Sequence, residues 1–515
     1  MFKHNVRRKA AVAVVAAAAI FALAACSSSG SGNSSSGSSN DLGAITVGQT
    51  ADVQSLDPII DNSLQGINVY DTLYDTLTQL KRNGDVIPRL ATSWTSNSNA
   101  TEWDVKLTNK AKFSTGDPVT AADVIFTYQQ VQTNPKSLNS SYLSSVKSMT
   151  AVGKYEVKFD LSTPFANWPR QMTLLSIVPK KVYKADGGSA GFVKDPVGSG
   201  PYTFVSYKSG VSLVVKRNPN YWGPKATLSQ ITFVPVLTDQ SRVSGVQSSS
   251  LDLALIPPTS VGTLKGSGAV DVRNVGGNQT MYLGFNSSSG ETANAKIREA
   301  ISLSVDRPAI VKSILGGLGI PANQMSSPKN FGYDASRKAI PYDPTKAKEL
   351  LKEAGYSGQP IPLQYATDGW IPLGSQVAQA IGGYMQKVGI NVQMQGTDAA
   401  SFNLLNSKKA YTGVYFTAYG PSYLDAQIIL NFGIGPNATR YFTSSDIDTL
   451  YDEQISETNP TKRAADIAKI WDVIDQNTYF APVYDPEFSY AVDPKLKWTP
   501  WPDGSLFFEG ATLSK

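Results

Sequence analysis

The stretch TEWDVKLTNKAKFSTGDPVTAADVIFTYQQV, Thr101–Val131, contains the two local patterns that decide the class of fold. Its first eight residues alternate between polar and apolar side chains, which predicts a half-buried strand. Thr120 then stands as the N-cap of a helix, and Asp123 three residues later completes a capping-box pattern. A strand and a well-capped helix this close together indicate a chain that mixes both kinds of element.

The same mixture continues on both sides of this stretch. Alternating segments predict strands at Ile45–Val53, Tyr155–Leu161 and Ile231–Leu237, and a hairpin over Tyr202–Asn218 that turns at Ser209–Gly210. Capping residues and apolar periodicity predict four further helices: one over Tyr342–Tyr356 with Asp343 as N-cap, one that ends near Val305, one capped by Asp306, and one over Asn459–Thr478. The predicted class is α/β or α+β with mixed sheets.

The amino-terminal region predicts export. A basic patch (Lys3, Arg7, Arg8, Lys9) precedes an apolar run over 10–25 that is too short to span a bilayer. The tetrapeptide LAAC, Leu23–Cys26, resembles the bacterial lipobox and holds the only cysteine of the chain. We therefore predict a lipoprotein signal peptide over 1–25, lipid on Cys26 and a flexible Gly/Ser linker over 26–40. The alternative is an ordinary signal peptide with a chance cysteine.

Composition excludes most catalytic chemistry. The only histidine is His4, inside the predicted signal peptide. The remaining body therefore lacks the residues for Ser-His-Asp or Cys-His catalysis and for His/Cys metal sites. We expect no catalytic residue, no cofactor and no metal, although carboxylate-dependent glycosidase chemistry and Ser-Lys chemistry stay open. Net charge falls from +5 to about +1 once the four basic residues of the signal region are removed, so no nucleic-acid partner is expected.

An ordered set of segments carries a resemblance to a known family. The chain resembles the peptide-type (dipeptide/oligopeptide-binding, family 5) extracellular solute-binding proteins of ABC importers. The segments that carry it are Ser55–Ile60, Val69–Leu77, Ile87–Trp94, Trp103–Tyr128, Pro196–Phe204, Lys216–Gly223, Met281–Asn286, Ala295–Ile310, Tyr342–Tyr356 and Lys387–Val392.

The resemblance implies a two-lobed periplasmic-binding-protein-like fold (class II, Venus-flytrap) that closes on its ligand. The first lobe is expected at 41–88, 198–274 and 479–515, an inserted subdomain at 89–197, and the second lobe at 275–478. The implied role is capture of a small-molecule or peptide ligand on the extracytoplasmic face and delivery to ABC permease subunits. The protein is expected to be a monomer, to be held to the membrane by the lipid on Cys26, and not to be an enzyme.

The resemblance also implies where ligand binds. Peptide-binding members read approximately W-x-A-D-Y-x-D-P, and the aspartate meets the α-ammonium of the peptide. In the corresponding VYFTAYGPSYLDAQ, Val414–Gln427, Tyr419 or Gly420 stands where the acid belongs, and Asp425 lies too far along to align cleanly. A buried ammonium without a carboxylate would be costly, so either another acid substitutes or the ligand has no free amine there. Tyr415 and Phe416 are further candidates.

A second contact region precedes the segment Lys387–Val392. There Asp368 stands near the place of an arginine that meets the ligand carboxylate, and Trp370 near the place of an aromatic residue. Three ligand classes follow: a longer peptide held by its backbone, a ligand of reversed polarity, or a neutral oligosaccharide stacked on Trp370, Tyr415 and Tyr419.

Four more residues are candidates because family members place them near the cleft: Gln54, Ser55, Tyr282 and Asn286. For each of them a structural role competes with ligand contact. At the level of the whole protein, the alternatives to a transport receptor are a secreted glycosidase and a signalling receptor that binds the same ligands without transport.

Overall fold

We describe the chain from a computed structural model. The structure describes residues 43–368, 371–420 and 423–514. The predicted signal peptide, Cys26, the Gly/Ser linker and Trp370 lie outside the described residues.

The described chain alternates strands and helices along its whole length. The strands are β1 Ala44–Gln49, β2 Thr78–Leu80, β3 Val86–Pro88, β4 Ala91–Ser96, β5 Glu102–Leu107, β6 Val146–Ala151, β7 Glu156–Leu161, β8 Tyr202–Lys208, β9 Ser212–Arg217, β10 Gln230–Pro235, β11 Leu253–Ile256, β12 Asp271–Gly276, β13 Thr280–Phe285, β14 Gly319–Pro321, β15 Ile361–Ala366, β16 Val392–Thr397, β17 Val414–Tyr419, β18 Phe480–Val492, β19 Leu496–Lys497 and β20 Thr512–Leu513. The helices are α1 Leu64–Leu73, α2 Ala121–Thr133, α3 Trp168–Gln171, α4 Lys180–Ala185, α5 Ser189–Phe192, α6 Asp239–Gln247, α7 Val261–Ser267, α8 Ala295–Ser304, α9 Arg307–Ser313, α10 Pro344–Glu353, α11 Gly374–Lys387, α12 Ala399–Ser407, α13 Gln427–Ile429, α14 Ser445–Ser456 and α15 Pro460–Asn477.

The local predictions that rest on capping residues are confirmed. At the start of α2, the Thr120 backbone N–H donates to the Asp123 carboxylate at 2.9 Å, as the capping-box pattern requires. The Asp343 carboxylate accepts from the Lys346 N–H and caps α10. The hairpin of β8 and β9 is also confirmed, and Gly210 in its turn has a φ of +71°, which glycine adopts without strain.

One long strand, β18, joins two groups of strands into a mixed sheet. Its first half pairs antiparallel with β13, and its second half pairs antiparallel with β11 and β12. On the β13 side the order continues to β17, β15 and β16; on the β11 side it continues to β1, β10, β9 and β8. Parallel pairs (β1 with β10, β15 with β16) and antiparallel pairs occur together, which confirms the predicted mixed class.

The side chains of β13 alternate between two hydrophobic clusters. Met281, Leu283 and Phe285 pack into one cluster, whereas Tyr282 packs into another with Phe480. This period of two places helices against both faces of the sheet at this strand. β13 therefore belongs to the interior of the protein and has no face left for solvent.

A separate antiparallel sheet has the order β4-β5-β7-β6, and all of its strands lie between residues 91 and 161. Helix α2 packs on it, with Tyr128, Phe159 and Trp168 forming an aromatic cluster in between. This unit falls inside the segment 89–197, where the inserted subdomain is predicted.

Candidate ligand-binding cleft

A cavity of about 1440 Å³, including the space open to solvent at its mouth, is lined by segments far apart in the sequence. Residues from 58–89, 139–176 and 501–507 form most of its wall. Asn278, Gln279 and Gly420 contribute from the ends of the segments that carry β13 and β17.

Helix α1 supplies one wall of this cleft. Ser63 caps the helix by accepting a hydrogen bond from the Gly66 N–H, and Tyr70, Asp71 and Tyr74 line the cavity. The Tyr70 hydroxyl donates to the Asp61 carboxylate at 2.9 Å, so the amino-terminal part of the wall is held by a buried hydrogen bond.

Asp75 follows the carboxyl-terminal end of α1, and four side chains compensate its negative charge by donating hydrogen bonds. Its carboxylate accepts from Arg89 Nε at 2.7 Å, from the Tyr221 hydroxyl, from the Ser199 hydroxyl and from the Trp222 indole N–H at 2.8 Å. Arg89 also donates to Glu509 at 2.7 Å. These bonds make Asp75 and Arg89 part of the scaffold rather than free charges for a ligand.

Asp71 and Asp503 differ from the other charged groups of the wall. In the part of the chain that the structure describes, the half-buried carboxylate of Asp71 has no hydrogen bond or ion pair. Burial and, to a smaller extent, the nearby Asp503 carboxylate raise the pKa of Asp71 to about 7, although Arg89 lowers it. Burial also raises the pKa of Asp503, although Ser505 donates two hydrogen bonds to one of its oxygens.

The family model for bacterial extracellular solute-binding proteins, family 5 (middle region), matches residues 85–439. The chain belongs to this family. The probable D,D-dipeptide-binding periplasmic protein DdpA of Escherichia coli K12 is 26% identical over 475 residues, which cover 88% of this chain and 90% of that protein. Family members are transport binding proteins of ABC importers, and the resemblance that the sequence segments carried is thereby confirmed.

Solved structures agree on the fold of this solute-binding protein. The binding protein CtaP of Listeria monocytogenes superposes with a TM-score of 0.82 at 21% identity, over 92% of this chain and 100% of that one. DppA of Helicobacter pylori, solved with the peptide STSA, gives 0.78 at 21% identity, over 92% and 99% of the two chains. The two-lobed periplasmic-binding-protein fold predicted from the resemblance is confirmed. In the described residues, no helix has the length and apolar character needed to cross a membrane.

Among the residues predicted to meet ligand in this solute-binding protein, Asp425 is fully buried and already paired. Its two oxygens accept from the Arg463 guanidinium at 2.8 and 2.9 Å, and Arg170 Nε lies 3.4 Å away. Burial alone would raise the pKa of Asp425, but Arg463 and then Arg170 hold it below its usual value. Asp425 does not line the cleft described above.

The aromatic candidates of β17 pack mainly inside the protein. Tyr415 is 5% exposed and stacks on Tyr411 with ring centroids 4.4 Å apart, and Phe416 is 1% exposed. Tyr419 is only half-buried, and it stands beside Gly420, which lines the cleft. Tyr282 is buried on the Tyr415 face of the sheet, edge-on to Phe480.

Asn286 lies at a second hollow, lined also by Lys409, Arg440 and Tyr441, and its amide donates to the Tyr411 carbonyl at 2.8 Å. The Ser55 hydroxyl accepts from the Asp57 N–H in a turn, as a structural role for this residue requires. Gln54 is exposed and does not line the main cavity.

Asp368 is exposed, and its carboxylate accepts from the Ala399 N–H at 2.8 Å at the start of α12. It does not line the main cavity. Trp370, its predicted neighbour in the site, lies outside the described residues.

Sequence reasoning missed the residues that form the cleft wall, above all Asp71, Tyr74, Asp503 and Trp501. The segment Val69–Leu77 resembles the family, but nothing in its sequence marks any of its side chains as a ligand contact. No local pattern distinguishes Asp71 from Asp75 four residues later. The difference is that Asp75 meets Arg89, Ser199, Tyr221 and Trp222, which only the folded chain brings together.

Proposed function

We propose that this protein captures a small solute, in the first instance a peptide, in the cleft beside α1 and delivers it unchanged to an ABC importer. The observation that carries the proposal is the 1440 Å³ cavity, whose wall is built from both predicted lobes of a family 5 chain. A similar protein, DdpA, is named for D,D-dipeptide binding, and the similar DppA of Helicobacter pylori was solved with a peptide. Both support a peptide-like ligand.

The same geometry supports closure of the two lobes on ligand. Asp71 and Trp501 stand on the wall from the predicted first lobe, whereas Gln279 and Gly420 stand on the wall from the predicted second lobe. A ligand that touches both walls binds the closed state better than the open state, and so shifts the population toward closure. Binding needs no chemical step.

The experiment is a binding assay on the purified mature chain. An equimolar mixture of random tri- to pentapeptides with free amino termini should raise the melting temperature and reduce the radius of gyration in X-ray scattering. A mixture of β-linked oligosaccharides serves as the comparison. If only the oligosaccharides stabilise the protein, the ligand is an oligosaccharide and not a peptide. Turnover of chromogenic glycosides would refute a purely binding role.

We also propose that Cys26 carries the lipid that holds the protein on the extracytoplasmic face of the membrane, as a monomer beside its permease. The support is the basic, apolar and LAAC pattern at Lys3–Cys26. Cys26→Ser should move the protein from the membrane fraction to the medium or the periplasm, whereas Ser27→Ala should leave it in the membrane. Membrane retention of Cys26→Ser would contradict lipid anchoring.

A further inference from the structure

We propose that the ligand presents a protonated amine to Asp71 and Asp503, so that this pair of carboxylates in the cleft is the cation-binding subsite of the protein. The inference deepens the proposed function and rests on it. It also assigns the acid that the sequence left unassigned, since the position at Tyr419 and Gly420 has no carboxylate. In this protein the acid would come from α1 and the 501–507 segment instead.

The charge of the cleft wall points to a cation. Among the described residues that line the cavity, the charged side chains are four aspartates and one arginine: Asp61, Asp71, Asp75, Asp503 and Arg89. A wall with this excess of negative charge attracts a positive group and repels a carboxylate. An amine fits this wall better than either a neutral sugar or an anionic solute.

The excess negative charge is concentrated at two groups. Asp75 is compensated by Arg89, and the Asp61 carboxylate accepts from Tyr70 and from the hydroxyl and N–H of Ser63. Asp71 has neither a hydrogen bond nor an ion pair within the described ranges. Asp503 uses one oxygen for Ser505, and its second oxygen has no hydrogen-bond partner in the described part of the chain.

Asp71 and Asp503 line the same partly desolvated cleft, where two like charges are unfavourable without a counter-charge. The mutual effect is visible in the raised pKa of Asp71, to which Asp503 contributes after burial. An ammonium group between the two carboxylates would remove this repulsion and form charge-assisted hydrogen bonds with both. In the free protein a proton on Asp71 relieves the repulsion, and a bound ammonium group would take over that role.

A second, independent feature of the same wall is a hydrogen-bond donor with no acceptor. Trp501 lines the cavity and is 8% exposed, and its indole N–H has no partner among the described residues. A buried unpaired donor costs free energy until an acceptor reaches it. The indole nitrogen itself has almost no accessible surface, so a ligand carbonyl next to the amine, as at the amino terminus of a peptide, would reach it only when closure of the lobes moves this wall.

An organic cation fits better than a metal ion. In the described ranges, no three acidic, histidine or cysteine side chains group closely enough to hold a metal. Two carboxylates fall well short of the six to eight oxygen ligands that Ca²⁺ takes. The aromatic rings of Tyr70, Tyr74 and Phe507 line the same cavity and suit the carbon skeleton of an organic amine.

The test compares two peptide mixtures and four proteins. The first mixture is random tri- to pentapeptides with free amines, and the second is the same mixture acetylated at every amine. The proteins are the mature wild-type chain, Asp71→Asn, the double variant Asp71→Asn/Asp503→Asn, and Asp186→Asn. Asp186 is exposed and outside the cavity, so its variant makes the same change in net charge without touching the site.

We expect the wild type and Asp186→Asn to bind the free-amine mixture at least about tenfold more tightly than the acetylated one. We expect Asp71→Asn to lose most of this preference and the double variant to lose all of it. Unliganded melting curves report folding; if an Asn variant does not fold, Asp71→Glu, which keeps the charge, takes its place and should keep the preference.

A pH series separates an electrostatic role from a structural one. Wild-type affinity for the free-amine mixture should rise severalfold between pH 5.5 and 7.5 as Asp71 loses its proton, and Asp71→Asn should flatten this rise. The other titratable or charged groups on the wall are Asp61, Asp75, Asp503, Arg89, Tyr70, Tyr74 and Tyr142. Of these, Asp503 shares the effect, which is why the double variant is included.

The outcomes distinguish the two proposals. Equal binding of both mixtures by the wild type, or an undiminished preference in the double variant, would overturn the amine subsite and leave peptide binding standing. Binding of neither mixture, with the folded wild type shown by its melting curve, would overturn the proposed peptide function and the amine subsite with it.

Discussion

Asp425 shows how a single residue can look like a ligand contact in the sequence and be part of the core in the structure. Its carboxylate lies at 0% exposure between Arg463 and Arg170. It also accepts from the Gln427 N–H at 2.8 Å, so its lone pairs are largely used. A charge held this way sets the local structure of the 423–427 segment rather than meeting a solute.

Asp425→Ala should therefore act on stability. It leaves two guanidinium groups buried with no carboxylate between them, which costs about 3–5 kcal/mol. Denaturant unfolding of the mature chain measures the effect. The exposed Asp186→Ala is the control and should stay within about 0.5 kcal/mol of wild type. An Asp425→Ala variant as stable as the control would mean that the ion cluster does not form.

The buried carboxyl group of Asp485 should make the stability of the protein depend on pH. It lies in β18 at 4% exposure and accepts a hydrogen bond from the Thr280 hydroxyl at 2.6 Å. Burial raises its pKa to about 8, although the bond from Thr280 lowers it. Since the unfolded value is about 3.9, the folded state holds this proton more tightly, and stability falls as pH rises from about 4 to 8.

Asp485→Asn should remove this fall, because the amide keeps the shape of the protonated acid. Between pH 5 and pH 8 the free energy of unfolding of the variant should rise by on the order of 3 kcal/mol relative to that of the wild type. Urea unfolding at the two pH values measures the gain. Parallel pH profiles for the two proteins would show that Asp485 titrates near its unfolded value.

At the scale of the element, helix α1 is held in place by a neighbouring loop that the sequence marks with glycines. Gly198 and Gly200 in PVGSGPY pack against the last turn of α1. A methyl group at Gly198 would overlap the Leu73 carbonyl oxygen, and one at Gly200 would lie 2.6 Å from the Thr72 carbonyl oxygen. The glycines permit a close approach of two backbones, and this approach sets the position of Asp71 and Tyr74.

Gly198→Ala should push the end of α1 away. We expect a loss of about 1–3 kcal/mol in stability and weaker peptide binding. Gly383→Ala is the matched control: it lies inside α11, and a methyl group there meets nothing within 4 Å. That change should stabilise by about 0.5–1 kcal/mol and leave binding unchanged. Normal binding by Gly198→Ala would show that α1 can shift without cost to the cleft.

At the scale of the whole molecule, Arg170 connects two distant parts of the chain. It belongs to α3 in the 89–197 segment, and its guanidinium donates to the Tyr423 carbonyl at 2.9 Å besides approaching Asp425. The Ala166 N–H donates to the Ile455 carbonyl at 2.8 Å along the same boundary. These contacts link the predicted subdomain to the predicted second lobe.

Arg170→Met should weaken this link because it removes both polar contacts at similar side-chain length. We expect the unliganded chain to show a larger radius of gyration in X-ray scattering and to bind the peptide mixture more weakly. Lys181→Met, in the same segment but with its side chain 84% exposed, should scatter like wild type. A scattering curve of Arg170→Met that superimposes on wild type would argue that other contacts hold the two parts together.

The local elements were predictable because their causes lie within a few residues. Asp343, Pro344 and Gly355 begin and end α10 through interactions inside one turn of helix. The family, and through it the two-lobed fold, was also predictable, because the matching segments recur in order along the chain. Strand pairing was not, since β18 joins strands from both halves of the chain and no local pattern encodes such partners.

The sequence by itself predicted an export signal, and it determined the lack of histidine beyond His4 and of cysteine beyond Cys26, the family and the limits of the capped helices α2, α8, α9, α10 and α15. Composition, recurring segments and short-range contacts suffice for each of these. The tertiary structure alone decided which acids are paired and which remain open. Asp75 and Asp425 pair with Arg89 and Arg463, whereas Asp71, which has no ion pair in the described residues, lines the cleft together with Asp503 from the far end of the chain. The free energy of a charge depends on its neighbours in space, and the fold decides which neighbours those are.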